Sequence, residues 1–266
     1  MFLLLRKALI FSLFLINYTI LAQQKEYVEY YDNGQKKAIG FKTNDGIAIG
    51  NWIYYRKDGT LDAKLNFNKE GKTQGEFSLY YKNGTLQTKG NYSGITDYQF
   101  NGTYKDYYAN GQLENIGTYD NGVTINKWIS YWENGQTKSL TNYTLNGVIK
   151  DNIEYYNDGQ LRIKATYNNN GDLSGEFVFY YSNGQLFNSQ EYDDEGNKIG
   201  IYKAYYKNGN LMQVGSYAGI DYFKKKGIWK TFYEDGTLKS EIKFDDKGNR
   251  IGIIKNYDTN GKLKKL

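Results

Sequence analysis

Polar and apolar positions alternate in short runs along this chain, and Asn-Gly or Asp-Gly punctuates the runs at a near-constant interval. The unit is plainest around Tyr80-Tyr81-Lys82-Asn83-Gly84-Thr85-Leu86. Period-2 alternation marks half-buried strands, so Gly75–Tyr81 and Thr85–Tyr92 read as two strands joined at a hairpin tip. The glycine of this phrase recurs at positions 34, 59, 84, 111, 135, 159, 184, 209, 236 and 261, ten copies spaced 24 to 27 residues apart. A second turn, ending in Gly71, Gly122, Gly147, Gly171, Gly196 or Gly248, closes most units. Such a period signifies a repeat array in which each unit packs against its neighbours.

The aromatic residues follow the same period. Each copy carries a leading aromatic, from Tyr30 and Tyr55 through Tyr80 to Phe232 and Tyr257, and most carry another three residues earlier, such as Trp52, Phe77, Trp128 and Trp229. A third falls eight residues after the turn glycine in most copies, as in Phe67, Tyr92 and Tyr217. A two-residue turn at Asn83-Gly84, the favoured expectation, sets Tyr81 opposite Leu86 and Phe77 opposite Gly90. A three-residue turn with a bulge sets Tyr80 opposite Leu86 instead, and a slip of one inverts every side chain. The position equivalent to Gly90 is small in several copies (Gly117, Thr141, Ala165, Gly215), so a large ring can lie across it there. Under either register, aromatics occupy both faces. The predicted fold is all-β: an elongated, single-layer, twisted antiparallel meander of about ten β-hairpin repeats. Two 27-residue steps, 125 residues apart, carry matching insertions after Tyr92 and Tyr217, which divides residues 23–266 into two blocks of five repeats. The last copy, ending Lys264-Lys265-Leu266, reads as a cap.

Composition narrows the chemistry. The chain has no Cys, no His and no Pro, so it lacks disulfides, thiol nucleophiles, zinc–thiolate sites and the commonest general base. Its net charge of +5 falls to +3 without residues 1–22, too little to point to nucleic acid. Those residues combine Arg6 and Lys7, an apolar run from Ala8 to Leu21 and Ala22 before Gln23, the order of a secretory signal peptide cleaved after Ala22. The expectation is an exported protein: periplasmic, surface-held or secreted. The Leu-Ala-Gln-Gln junction resembles that of exported bacterial proteins.

Two look-alike motifs carry bland readings. Gly71-Lys72-Thr73 lacks the earlier glycine and following helix of a phosphate-binding loop, and reads as a turn. Asp193-Asp194-Glu195 and Asp245-Asp246 lack the spacing of a calcium loop and read as solvated turns. A ribbon of hairpins offers no cleft for paired carboxylates, so the chain reads as non-enzymatic, with no catalytic, cofactor or metal residues.

The repeats resemble MORN-type repeats in their bacterial variant, whose units read Gly-x-Trp-x-x-Tyr-Tyr-x-Asn-Gly-x-Leu. Gly50-Asn51-Trp52 through Leu61 and Gly227-Ile228-Trp229 through Leu238 carry that pattern, and the likeness extends over residues 25 to 266. The resemblance implies a hairpin meander used as a binding or scaffold surface. Bacterial members are often labelled antitoxin or immunity proteins, and other MORN proteins are linked to membranes and phospholipids. Copies with Arg56 or Asp258 in place of the second aromatic are departures from the pattern.

Loops longer than the minimal turn are the usual seat of function on a repeat scaffold. The candidate binding residues are therefore Tyr98 and Phe100 in the first insertion, and Tyr222, Phe223, Lys224, Lys225 and Lys226 in the second. The expected role is a scaffold for a protein partner, immunity-like. The alternatives are a glycan or cell-wall binder, and attachment to an anionic membrane surface through the lysines.

Overall fold

A computed structural model describes residues 25–221 and 223–264. The leader expected at residues 1–22 and the candidate Tyr222 lie outside the described residues. The chain forms two compact units, the first ending at Val123 and the second starting at Thr124. The first holds β1 (Lys25–Tyr30), β2 (Lys36–Lys42), β3 (Ala48–Tyr55), β4 (Leu61–Phe67), β5 (Gln74–Tyr80), β6 (Leu86–Ser93), β7 (Gly102–Tyr107) and β8 (Leu113–Asp120). Next come β9 (Val123–Tyr131), β10 (Thr137–Tyr143), β11 (Ile149–Tyr155), β12 (Leu161–Tyr167) and β13 (Leu173–Tyr180). The second unit continues through β14 (Leu186–Tyr192), β15 (Lys198–Tyr205), β16 (Leu211–Ala218), β17 (Lys225–Phe232), β18 (Leu238–Phe244) and β19 (Arg250–Asn256).

Within each unit the strands pair antiparallel with the strands before and after them, an open meander of hairpins. There is no helix among the described residues, and within each unit main-chain pairing joins only strands consecutive in sequence. The all-β meander expected from the repeat is therefore the fold.

The hairpin tips correct the favoured register. Tyr81 N donates to Thr85 O (2.8 Å) and Gly84 N donates to Tyr81 O (2.9 Å), which encloses three residues, Lys82-Asn83-Gly84, rather than two. Tyr80, not Tyr81, faces Leu86. A bulge then absorbs the extra residue between this pair and Leu79↔Thr88, so Phe77 still faces Gly90. A two-residue Asn-Gly turn needs positive φ at both residues. Here only Gly84 takes it (φ 84°), and Asn83 does not. That choice keeps both ends of the Asn83 amide in use: Oδ1 accepts from Thr85 N (3.0 Å), and Nδ2 donates to Ala109 O in the next tip (3.0 Å). Asn33, Asn134, Asn183 and Asn208 reach the following tip in the same way.

The second aromatic of each pair links copies as well. Its hydroxyl donates to the main-chain carbonyl of the next copy's leading aromatic: Tyr31 to Tyr55 (2.9 Å), Tyr81 to Tyr107 (2.8 Å), Tyr156 to Tyr180 (2.7 Å), Tyr206 to Phe232 (2.8 Å). Trp132 does this with Nε1, to Tyr155 O (3.3 Å). Arg56, which departs from the pattern in sequence, does it with its guanidinium, to Tyr80 O. What the position requires is a long, flat side chain with a donor at its tip.

The core of each sheet is a layer of rings lying on backbone. Of the 30 glycines, 26 have positive φ; the other four, Gly40, Gly90, Gly117 and Gly215, share one in-strand repeat position. A Cβ on Gly215 would lie 2.1 Å from Trp229, one on Gly40 2.2 Å from Trp52, and one on Gly90 2.9 Å from Phe77. Those three rings are buried because the neighbouring strand has no side chain beneath them. In the first unit Phe77 stacks on Tyr92 (centroids 4.2 Å, 18°). In the second, Trp229 stacks on Tyr202 (5.7 Å) and meets Tyr217 edge-on (5.0 Å). The opposite face carries the leading aromatics with polar neighbours: Lys64 Nζ lies 5.9 Å from the Tyr80 ring centre, and Glu241 joins Lys230 and Lys255 across three strands.

Two outcomes follow from the ring layer. Gly215→Ala should displace Trp229 and lower stability by about 1–3 kcal/mol, the usual cost of overpacking, with loss of near-UV ellipticity. An alanine variant with unchanged melting and an unchanged tryptophan signal contradicts the ring-on-glycine contact. The second outcome concerns alkali. Burial pushes the phenols of Tyr54, Tyr92 and Tyr217 up to about 12. An unfolded tyrosine ionises near about 10, so the native sheet holds protons there that the unfolded chain has lost. The stability from these buried phenols is complete below pH ~10 and disappears as pH rises toward ~12. Part of the tyrosinate absorbance should therefore appear together with loss of the strand signal; full ionisation near pH ~10 with the sheet intact contradicts the assignment.

Candidate functional site

The two insertions are built alike. In the first, Ser93 N donates to Gln99 O (2.8 Å); in the second, the equivalent Ala218 N donates to Lys224 O (2.7 Å). Both loops therefore leave and rejoin the sheet at the same places. The first folds back on the preceding turn: Tyr98 N donates to Thr73 Oγ1 (2.7 Å), and Lys72 Nζ donates to Ile95 O (2.7 Å). Thr73 is buried beneath it. This contact holds Tyr98 in the left-handed region (φ 58°). The second insertion is tied at the position equivalent to Thr73, the first residue of β15, through Gly219 N to Lys198 O (3.1 Å).

The candidates divide by environment. Tyr98 stands out of the surface at 61% exposure and Phe223 at 66%. Each has an exposed isoleucine in the same loop, Ile95 (58%) and Ile220 (43%), which sequence reasoning passed over. Phe100 behaves differently. Its ring packs against Phe77, Tyr92, Tyr104 and Tyr119 at 5.0 to 5.7 Å, so it belongs to the ring layer of the sheet.

The basic run is also spent internally. Lys224 pairs with Asp221 (2.6 Å). Lys225 fills the place that Phe100 holds in the first insertion, and its Nζ lies 4.1 Å above Trp229. Burial lowers its pKa. Lys198 Nζ lies 5.0 Å from the Phe223 ring centre and 5.2 Å from that of Tyr217. Its pKa is lowered by burial and then by the charge of Lys225. Cations on ring faces are stabilised there and are poorly placed to attract phosphate. Lys226 lies opposite Ser216 on β16. The signal that could have found Ile95, Ile220 and Lys198 is the 125-residue block period.

The acidic clusters close turns. Asp193 Oδ1 accepts from Glu195 N (3.1 Å) and Asn197 N (2.7 Å), and Asp245 does the same for Lys247 N (2.9 Å) and Asn249 N (2.7 Å). The Asn249 hydrogen bonds hold the Asp245 carboxyl below its usual range. Gly71-Lys72-Thr73 is a turn followed by a strand, and its lysine is bound to Ile95 O.

The family model of the MORN repeat variant matches residues 73–93, 100–121, 126–144, 151–169, 173–197, 198–218 and 225–246, together more than half of the chain. The chain belongs to this family. The MORN matches stop at 93 and 218 and resume at 100 and 225, so both insertions fall between matched repeats. The copies before residue 73 and after 246 lie outside the matches yet close their turns with the same hydrogen bonds. Among solved structures, the crystal structure of TcdB2-TccC3-TEV aligns at 11% identity, over 90% of this chain and 17% of that one, with a TM-score of 0.21. That of TcdB2-TccC3-Cdc42 aligns at 12% identity over 90% and 18%, with a TM-score of 0.15. This MORN chain thus spans less than a fifth of the length of either. No curated protein matches it.

The division between tip and layer has a direct test. Phe100→Ala should destabilise the MORN array by about 3 kcal/mol, as loss of a packed ring does. Tyr98→Ala, which loses only an edge-on contact with Tyr92 (5.7 Å), should cost about 1 kcal/mol. Thermal or urea melts of the two variants decide this, and equal effects contradict the division.

Proposed function

We propose that this chain is a non-enzymatic, exported, immunity-like MORN scaffold that binds protein through apolar tips, Ile95 with Tyr98 in the first unit and Ile220 with Phe223 in the second. MORN repeats form a repeat-based binding scaffold. The observation that carries the finer reading is that both insertions share one backbone plan and each raises an exposed aromatic and an exposed isoleucine. Aromatic residues in such positions are the usual anchors of protein interfaces. The export component rests on the charged start, apolar run and Ala22 of the leader.

The competing readings have less support. Sugar recognition asks for open ring faces, and the rings of Trp52, Phe77 and Trp229 are buried on neighbouring backbone. Attachment to anionic lipid asks for free lysines, and Lys224 and Lys225 are engaged by Asp221 and Trp229.

The test is capture of a stoichiometric protein on immobilised residues 23–266. Replacing Ile95 and Tyr98 by serine, and separately Ile220 and Phe223, should each weaken capture by about tenfold or more, as loss of an interface anchor does. Capture should persist in high salt, because apolar contacts are not screened. Retention of cell-wall material or anionic vesicles with no protein overturns the reading, as does capture that the tip variants leave unchanged.

A further inference from the structure

The repeated ring is missing at Asn152, between copies that carry it, and again at Ile254 in the last copy. Three residues before the leading aromatic, successive copies carry Tyr27, Trp52, Phe77, Tyr104 and Trp128, then Asn152, then Phe177, Tyr202 and Trp229. Asn152, on β11, pairs with Thr141 on β10 and with Ala165 on β12. Thr141 also faces Trp128, and Ala165 also faces Phe177. The strands on both sides thus keep the small residues that let a ring lie down, while the residue between them has none. A cavity of about 350 Å³ opens over β10 and β11, lined among others by Trp132, Tyr143, Thr141, Asn152 and Glu154.

The walls and floor of this slot are held in place. Trp132 is fixed by its Nε1 bond to Tyr155 O. Thr141 Oγ1 donates to Asn152 Oδ1 (2.8 Å), Asn152 Nδ2 donates to Glu154 Oε1 (3.0 Å), and Arg162 pairs with Glu154 Oε2 (2.6 Å). A carboxylate offers about four lone-pair sites, so Glu154 keeps acceptor capacity after these two contacts. The slot therefore combines the place of an absent ring, two aromatic side chains and an oriented acceptor. A ring bearing one donor satisfies all three, whereas an aliphatic side chain leaves the acceptor unmatched.

We propose that this slot receives a tyrosine or tryptophan side chain of the partner protein, whose O–H or N–H donates to Glu154. The chain itself is the precedent, because the same repeat position is filled by Tyr, Trp or Phe in the copies named above. The identity of the occupant as a protein side chain rests on the scaffold reading of the previous subsection; the fit of the slot to a ring does not.

The test titrates the whole protein with N-acetyl-tyrosinamide and N-acetyl-tryptophanamide by saturation-transfer NMR, with N-acetyl-leucinamide and methyl glucoside alongside. The aromatic amides should show transfer several-fold above the other two. Asn152→Phe, which fills the gap with the chain's own ring, should abolish that transfer while melting at or above the temperature of the native chain. If that variant does not fold, Trp132→Ala takes its place and should weaken both aromatic amides. No transfer to the aromatic amides, equal or stronger transfer to the glucoside, or undiminished transfer in the folded variant overturns the slot. Failure of the scaffold reading is seen separately, as the absence of captured protein, because the amide titration needs no partner.

Discussion

A large ring laid flat on a strand with no side chain beneath it is the contact on which the rest of this structure depends. Within each unit the sheet has no second layer to supply an interior, so its apolar side chains must be covered by their own neighbours. A tryptophan over Gly40 or Gly215 achieves this by making contact with peptide backbone where another protein would offer leucine or valine. Burial of such a ring contributes on the order of 1.5–3 kcal/mol, enough to matter when it recurs along an array. It also explains why glycine occurs at an in-strand position whose φ does not require it.

Ring burial alone would allow the hairpins to slide. Register is held by polar contacts that run from each copy to the next: the tyrosine hydroxyl on a carbonyl, and the turn asparagine on the following turn. Both satisfy main-chain groups at the sheet margin that would otherwise be left to water. Because each contact joins only adjacent copies, stability accumulates along the chain as nearest-neighbour terms. The substitution of Arg56 or Trp132 for tyrosine preserves the contact, so tolerance of sequence change at this position is set by donor geometry rather than by residue class.

Features that point to function lie where the period is broken. The insertions leave Ile95, Tyr98, Ile220 and Phe223 exposed, and Asn152 removes the ring between two copies that carry one. A regular copy uses its aromatics to hold itself together. A broken copy has aromatics, or room for one, left over.

The tandem phrase by itself determined the strands, the turn positions, the all-β meander and the family, because period and alternation are properties of the backbone that every copy repeats. It also pointed to the insertions. Tertiary structure decided the rest. The bulge beside Tyr80 allows a three-residue tip and the Phe77–Gly90 pairing to coexist, which neither single register allowed. Phe100 and Tyr98 stand two residues apart in one loop, yet one enters the ring layer and the other faces solvent. Lys225 lies over Trp229 instead of offering its charge outward. In each case the outcome depends on which backbone or ring lies across the neighbouring strand. That neighbour belongs to a different part of the chain and is set by strand pairing, so the local order of residues does not carry it.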